Sequence, residues 1–406
     1  MNPAPPDLHA FDLRALPAAF YENPYPYYHR LRETAPVRPM PDGSWLLTRY
    51  ADCERVYKDP KVFSSDKKAE FAPKYGASPL YEHHTTSLVF SDPPLHTRVR
   101  RLIVGALTPK AIADMEPGLV RRVDELLDRM ETRGEADLIE DFASAIPIEI
   151  IGNLLGVPHD ERGPLREWSL AILGALEPQL SPAQMARGNA AVTEFLAYLR
   201  TLVARRRAAP GDPERDVLTR LIQGEADGTQ LTETELLHNC VFLLNAGHET
   251  TTNLIGNSLV LLCEWPEARE LLLAEPEHMR SAVEEFLRFE SSNQLGNRRA
   301  LAETEVGGTV LPAGALVTLC IGAANRDPAQ FPEPDRLDLL RAPNRHLAFG
   351  SGAHLCAGHA LARLEGRVAL GRFLARFPRY RLAGSPVRGG RARFRGFLAV
   401  PARLRV

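Results

Sequence analysis

One uninterrupted helical pattern in the second half of the chain constrains the fold most. It begins at Leu231, where Thr232 and Glu235 have the spacing of a capping box, and it can run to Trp265 before Pro266 ends it. A helix of ~33 residues is ~50 Å long, which is enough to cross a whole domain. The sequence has 406 residues, of which 44% are hydrophobic and 25% charged, so it can bury the core that such a helix requires.

Helical spacing of apolar residues dominates from about Pro93 to Pro276, and short strand-like runs become common after Glu290. The predicted strands are Gly43–Thr48, Thr309–Leu311 and Ala315–Cys320, and a late helix is predicted from Gly358 to about Phe377. We expect irregular structure in the proline- and aromatic-rich start, up to about residue 40, and a surface loop at Arg205–Pro213. Because no change of composition marks a linker, the sequence predicts a single domain over residues 1–406, mainly α with small β-sheets.

Charge and cysteine content argue against several classes of protein. The net charge of −2 gives no electrostatic reason to expect a nucleic-acid partner, and no apolar run is long enough to predict a membrane-spanning helix. The five cysteines are odd in number, lie far apart and form no C-x-x-C pair, which favours a reduced, cytoplasmic location over a disulfide framework. Hydrolase-elbow, zinc-helix and phosphate-loop motifs are all missing from the sequence.

The most informative motif is FGSGAHLCAG, from Phe349 to Gly358, directly before the late helix. A cysteine at a helix N-terminus, here Cys356, has its thiolate favoured by the helix dipole, and free backbone N–H groups can tune its donation to a metal. The glycines allow backbone to approach a flat ligand. A buried structural cysteine is about equally consistent with this segment alone, whereas a nucleotide loop lacks its third glycine, replaced by Leu355.

A polar segment, Ala246-Gly247-His248-Glu249-Thr250-Thr251, occupies the middle of the long helix. Such residues are poor material for a buried helix interior. A threonine there can hydrogen-bond back to a carbonyl one turn earlier and distort the ladder. The pattern favours a local bulge at a functional site, with a helix bearing one polar face as the alternative.

Three further residue pairs are ambiguous when each is taken alone. Glu285 and Arg288 have the spacing of an ordinary helix-surface pair. His96 and Arg100 lie at i and i+4, so they could clamp one anion or form a basic solvated face. His83-His84 is predicted to be a loop pair rather than a metal site, because no further ligand has suitable spacing.

Taken in order, these features resemble the cytochrome P-450 family of haem-thiolate monooxygenases, and in particular its soluble bacterial branch. The resemblance extends from Asn23-Pro24-Tyr25 to the final strands, and FGSGAHLCAG fits every fixed position of the family's F-G-x-G-x-H-x-C-x-G loop. It implies a haem b cofactor and a fold in which the long helix crosses over the haem and the cysteine loop precedes a late helix. Cys356 is then the axial iron ligand, Phe349 packs beneath the haem and His354 reaches a propionate.

The resemblance assigns the other motifs as well. Glu249 and Thr250 become the acid–alcohol pair of the oxygen-activating segment. Glu285 and Arg288, together with Arg336 of Pro334-Asp335-Arg336, become a buried network. The further propionate ligands are His96, Arg100 and Arg298. The remaining residues placed against the haem are Ala246, Gly247, Gly350, Ala357 and Gly358.

The function implied is insertion of one oxygen atom from O2 into an apolar small molecule. A thiolate ligand pushes electron density onto iron and favours O–O cleavage, while Thr250 and Glu249 deliver the protons that cleavage needs. Electrons are expected from a separate ferredoxin and an NAD(P)H-dependent ferredoxin reductase. Arginines near the cysteine side are expected to attract an acidic ferredoxin, namely Arg98, Arg101, Arg363 and Arg367.

Two other functions stay open at this point. A peroxide-driven peroxygenase would not need the Glu249–Thr250 relay, and a non-catalytic haem-thiolate sensor would need an output domain beside this fold. The sequence departs from the family at Ser291–Gln294, where a proline-valine pair is usual. That polar stretch could bind a substrate oxygen or form a hydrated turn.

Overall fold

The computed structural model describes residues 8, 11–214, 216–224 and 230–404. Within them the α-helices are α1 (Ala18–Glu22), α2 (Tyr25–Thr34), α3 (Tyr50–Lys58), α4 (Lys68–Tyr75), α5 (Pro79–Thr86), α6 (Leu95–Ala106), α7 (Pro109–Arg133), α8 (Ala145–Leu154), α9 (Leu165–Gly174), α10 (Pro182–Ala208), α11 (Val217–Gln223), α12 (Glu233–Glu264), α13 (Pro266–Ala274), α14 (Met279–Phe289), α15 (Ile321–Ala324) and α16 (His359–Arg376). The strands are β1 (Val37–Pro39), β2 (Trp45–Leu47), β3 (Phe63–Ser64), β4 (Glu135–Asp137), β5 (Leu295–Ala300), β6 (Thr304–Val306), β7 (Thr309–Leu311), β8 (Leu316–Cys320), β9 (Arg381–Leu382), β10 (Val387–Arg388), β11 (Phe397–Ala399) and β12 (Pro401–Arg403).

The predicted long helix is confirmed as α12. Its capping box is complete, because Thr232 Oγ1 accepts from the Glu235 backbone N–H at 3.2 Å and Glu235 Oε2 accepts from the Thr232 N–H at 2.9 Å. Pro266 ends the helix by starting α13. Most side chains of α12 are buried, and the helix packs against α8, α9, α10 and α16. It therefore forms the centre of the main hydrophobic core.

The largest sheet has the strand order β1-β2-β8-β5-β3. Strands β2 and β8 run parallel, with Trp45 opposite Val317, and the other neighbours are antiparallel. The prediction of Thr309–Leu311 matches β7, and β8 begins one residue later than predicted. The predicted class, mainly α with small β-sheets, is confirmed. Strand β5 brings its residues to the edge of the site described below.

Two segments predicted to lack regular structure contain helices. Helix α2 begins at Tyr25 with prolines in and before its first turn, where a missing N–H leaves no intrahelical bond unmade, so the prolines start the helix rather than prevent it. Residues 1–7 and 9–10 of that segment lie outside the described part of the chain. Helix α10 continues to Ala208, and the side chains of Arg205 and Arg207 form ion pairs with glutamates of neighbouring segments. The predicted loop is therefore shorter than Arg205–Pro213.

Candidate active site

A cavity of about 340 Å³ lies between α12 and the segment that leads into α16. It gathers residues from distant parts of the sequence. The predicted site residues that line it are His96, Arg100, Ala246, Gly247, Thr250, Arg298, Phe349, Gly350, His354, Cys356, Ala357 and Gly358. Most of its other walls are leucine, isoleucine, valine and phenylalanine side chains. The cavity thus joins an apolar chamber to the cysteine loop.

Backbone hydrogen bonds and glycines fix the shape of the cysteine loop. The Cys356 N–H donates to the Phe349 carbonyl at 2.9 Å. Gly350 and Gly352 both have φ +67°, which disfavours other residues. A Cβ atom on Gly352 would also lie 2.3 Å from the Tyr57 carbonyl oxygen. The loop can therefore close only with glycine at this position, and it holds Cys356 immediately before α16.

The electrostatic environment of Cys356 contains opposing effects. Burial raises the pKa of the thiol, while a backbone hydrogen bond from Gly358 and the charges of Arg100 and Arg363 lower it. The Arg363 guanidinium also lies 4.6 Å from the centre of the Phe349 ring. The two arginines and the Gly358 N–H would stabilise the thiolate that forms when a metal ion replaces the proton of the thiol.

One edge of the cavity concentrates positive and unpartnered groups. The rings of His96 and His354 lie 4.0 Å apart, and His96 Nε2 has no hydrogen-bond partner. Burial, followed by the charge of Arg298, lowers the pKa of His354 to about 2. Arg298 is itself buried, and its Nη1 donates to the backbone carbonyl of Asn297 at 2.7 Å rather than to a carboxylate. Arg100 lies alongside. The edge formed by His96, Arg100, Arg298 and His354, called the cationic edge below, is suited to an anionic ligand.

The thiol and the cationic edge together fit a haem. A cysteine in a largely apolar cavity is the donor that a haem-thiolate iron needs. Arg298 and Arg100 could neutralise two propionates, and the two uncharged histidines could donate hydrogen bonds to them. Gly247 lets Ile151 of α8 pack closely against α12, because a Cβ atom there would lie 2.5 Å from Ile151 Cδ1. The donor set therefore matches the cofactor that the sequence implied.

Helix α12 runs through its polar middle without interruption, so the predicted bulge is wrong. The predicted back-bonding does occur, since Thr250 Oγ1 donates to the Ala246 carbonyl at 2.7 Å and Thr252 Oγ1 donates to the His248 carbonyl at 3.0 Å. A carbonyl has two lone pairs, so it can accept from a hydroxyl and remain in the helix ladder. Polar residues are thus accommodated without a change of helix type.

Glu249 does not line the large cavity with Thr250. It lies in a neighbouring pocket of about 30 Å³, where Arg391 Nη1 donates to its Oε1 and its Oε2 has no partner. Burial raises the pKa of Glu249 to about 7, against the lowering effect of Arg391. Sequence reasoning missed Arg391, because the arginine lies far along the chain in a segment without a motif.

The Glu285–Arg288 pair is buried rather than a surface pair. Both side chains are 0% exposed, and Arg288 donates to Glu285 through Nε at 2.8 Å and Nη2 at 2.7 Å. The third arginine is Arg341, whose Nε lies 3.2 Å from Glu285 Oε2. The assignment of Arg336 is wrong, because its side chain is 66% exposed and pairs with Glu333. Only the Arg336 backbone carbonyl reaches the network.

The polar stretch Ser291–Gln294 is mostly satisfied within the fold. Ser291 and Gln294 bond to nearby backbone carbonyls, and Ser292 Oγ donates to the Thr250 carbonyl at 2.8 Å. Ser292 and Asn293 line the large cavity, and Asn293 Oδ1 is buried without a partner. Asn293 is therefore the residue of this stretch that still offers an acceptor to a ligand.

The histidine pair His83-His84 lies in α5, so the predicted loop is wrong. Both side chains are buried against the large cavity, and burial holds the pKa of each well below its usual value. Both rings are therefore neutral near pH 7.

No helix in the described part of the chain combines the length and apolar content needed to cross a bilayer.

Comparisons with known proteins extend over nearly the whole chain. A model of the cytochrome P-450 family matches residues 175–380. The vitamin D(3) 25-hydroxylase of Pseudonocardia autotrophica is 40% identical over 368 residues, covering 90% of this chain and 89% of that protein. The 6-deoxyerythronolide B hydroxylase of Saccharopolyspora erythraea is 38% identical over 371 residues, covering 89% and 90%. The crystal structure of P450BioI, in complex with a hexadec-9Z-enoic acid ligated acyl carrier protein, superposes with a TM-score of 0.89 at 33% identity, covering 96% of this chain and 100% of that chain.

Proposed function

The chain belongs to the cytochrome P-450 family of haem-thiolate monooxygenases and has its fold, and on that premise we propose that it uses haem b to insert one oxygen atom from O2 into an apolar small molecule. The observation that carries the proposal is the cavity in which Cys356, Thr250 and the cationic edge meet. We place the reaction in a reducing compartment, the cytoplasm, because all five cysteines are free thiols.

Cys356 would supply the thiolate to the iron, with Phe349 packed beside it. His96, Arg100, Arg298 and His354 would bind the two propionates. The backbone and small side chains of Ala246, Gly247, Gly350, Ala357 and Gly358 would lie against the ring. The haem, when bound, supplies the activation of dioxygen, and a thiolate ligand favours O–O cleavage by donating electron density.

Proton delivery falls to Thr250 and Glu249. The Thr250 hydroxyl lines the cavity and bonds only to the Ala246 carbonyl, so it can turn and donate to an oxygen atom held in the cavity. Glu249 has a pKa raised to about 7 by burial, so it can both hold and release a proton near neutrality. Its pocket lies on the flank of α12 beside Arg391, which suits proton supply from outside the substrate chamber.

An apolar substrate is supported by the walls of the chamber, which include Ile103, Ile151, Leu173 and Phe242. The names of two relatives point the same way, since one is a hydroxylase of vitamin D(3) and the other of 6-deoxyerythronolide B.

We propose a separate ferredoxin and its NAD(P)H-dependent reductase as the electron source. Helices α6 and α16, which flank the cysteine loop, carry the arginines that would attract an acidic partner. Arg98, Arg363 and Arg367 are each paired with a glutamate, and Arg101 also has a partner. Electrostatic attraction should therefore be weaker than the arginine count suggests.

Replacing Thr250 with alanine should lower the amount of product formed per electron consumed by about tenfold or more, because a proton donor in the cavity is lost. The electrons should go to peroxide or water instead. Substrate binding, measured by the Soret shift, should be unchanged. The measurement is product formed per electron consumed, with isotopically labelled dioxygen, and the wild type should place one labelled oxygen in the product.

Thr252→Ala is the matched control. Thr252 makes the same kind of back-bond as Thr250, but it faces the small pocket and not the large cavity. Equal coupling in the two variants would contradict the role of Thr250. Wild-type turnover that proceeds equally well with peroxide alone would favour a peroxygenase instead.

A further inference from the structure

Asn245, on α12 immediately before Ala246, is a polar side chain without a partner. It is 2% exposed, and neither Oδ1 nor Nδ2 has a hydrogen-bond partner. The residue lines the large cavity. A buried amide that makes no hydrogen bond is rare and destabilising, so an unpaired one that borders a cavity points to a ligand.

Asn239, two turns earlier on the same helix, shows the usual arrangement. Its Oδ1 accepts from the Leu88 N–H at 2.9 Å and its Nδ2 donates to the Glu235 carbonyl at 2.8 Å. Asn239 thereby holds the segment after α5 against α12. The amide of Asn245 makes no comparable link, so the fold gives it no structural task.

The groups around the chamber favour a neutral ligand. His83 and His84 are uncharged, as described above. Glu365, which also lines the cavity, has a pKa raised to about 8 by burial and is therefore protonated at neutral pH. The chamber thus presents no anion that could pair with a cationic substrate.

Arg393 also lines the cavity but is not part of the cationic edge, and its N–H groups already donate hydrogen bonds within the protein. Its Nη1 donates to the Leu295 carbonyl at 2.7 Å, its Nε to the Leu176 carbonyl at 3.3 Å and its Nη2 to Asn297 Oδ1. These bonds tie the C-terminal segment to β5 and to the end of α9. Arg393 is therefore occupied as a structural clamp. The Asn245 amide and Asn293 Oδ1 are unpartnered, as are His84 Nε2 and Glu365 Oε2, and Asn245 is the residue among them with both a donor and an acceptor amide atom free.

We propose that Asn245 is a substrate-recognition residue whose amide hydrogen-bonds a neutral hydroxyl or carbonyl oxygen of an otherwise apolar substrate. This inference rests on the proposed function, because it concerns the substrate of the same cavity. A carbonyl would accept from Nδ2, and a hydroxyl could also donate to Oδ1. Asn293 Oδ1 offers a second acceptor in the same cavity.

The test is a set of Soret titrations of the haem-loaded protein with matched ligands. The pairs are cyclododecane with cyclododecanone and adamantane with adamantanone, and dodecanol is compared with dodecanoate. We expect the wild type to bind at least one ketone about tenfold more tightly than its hydrocarbon. Asn245→Leu, which keeps the branching and the number of side-chain heavy atoms but removes both polar atoms, should bind both members of that pair equally.

Three results would overturn the proposal. One is that the wild type shows no ketone preference in either pair. Another is that the preference survives in Asn245→Leu. The third is that dodecanoate binds most tightly and loses that advantage in Arg393→Gln but not in Asn245→Leu, which would make the site one for an anion.

Thermal stability of the ligand-free holoenzyme gives an independent readout. Asn245→Leu should raise Tm, because it removes an unpaired buried amide, whereas Asn239→Leu should lower Tm by breaking two hydrogen bonds. A fall in Tm for Asn245→Leu equal to that of Asn239→Leu would show a structural amide and contradict the proposal. The carbon monoxide spectrum of the same samples separates the two levels of inference. A thiolate band without ketone preference contradicts the role of Asn245 alone, while loss of the band in the wild type contradicts both.

Discussion

Replacing Glu285 with alanine should destabilise the fold by about 3–5 kcal/mol, because it leaves buried guanidinium groups without their carboxylate. Glu285 and Arg288 are fully buried, and Arg341 lies 3.2 Å from the same carboxylate. A domain typically has about 5–15 kcal/mol in total, so much of the variant should be unfolded or unable to retain haem. The measurement is denaturant unfolding, followed by circular dichroism and by haem absorbance.

Arg336→Ala is the control for this prediction. The Arg336 side chain is exposed, and the residue reaches the network only through its backbone carbonyl. The stability of the variant should therefore stay within about 0.5 kcal/mol of the wild type. If the two variants were equally stable, the network would not depend on Glu285. If Arg336→Ala were the more damaging variant, the assignment of Arg341 as the third arginine would be wrong.

Glu249→Gln should slow the proton-dependent step of turnover by about 100-fold. With a pKa raised to about 7, the carboxyl is protonated below that pH and ionised above it. A proton-donating Glu249 therefore makes the wild-type rate fall as pH rises through ~7, while a glutamine at this position gives a low and flat profile. Arg391 lowers the pKa of Glu249, so Arg391→Gln should move the wild-type profile to higher pH.

The same group also affects stability in a direction that can be checked. Its pKa is raised on folding, so the folded state binds the extra proton, and the associated stability is present at low pH and lost as pH rises from about 4.5 to about 7. Glu249→Gln should remove that component of the pH dependence of stability.

Glu264→Gln, at the far end of α12, is the control for the turnover prediction. A pH profile for Glu249→Gln that matches that of Glu264→Gln would contradict the relay.

The features that sequence predicted well have local causes. The capping box at Thr232 and Glu235 and the proline at 266 specify the two ends of α12 within a few residues of each end. The glycines around Cys356 likewise encode the shape of their own loop. The family resemblance, rather than local chemistry, predicted that most of the cofactor residues would meet, and these residues line one cavity.

The features that sequence missed depend on contacts between distant segments. Arg341 and Arg336 are equivalent by composition, and only packing decides which of them reaches Glu285. Arg391 meets Glu249 across 142 positions of sequence. The sequence did not predict the short helix α5, because buried histidines interrupt its apolar pattern. Nor did it single out Asn245, because the absence of hydrogen-bond partners for its amide is visible only in the structure.

The carbon monoxide spectrum of the reduced protein tests the central claim, which is that Cys356 provides the thiolate ligand of the haem. The wild type should show the strongly red-shifted Soret band that is specific to a thiolate ligand. Cys240→Ala, which changes a buried cysteine of α12 outside the cavity, should keep the band, and Cys356→Ala should lose it. A Cys356→Ala protein that retains the red-shifted band would contradict the assignment of the cysteine, the cavity and the reaction together.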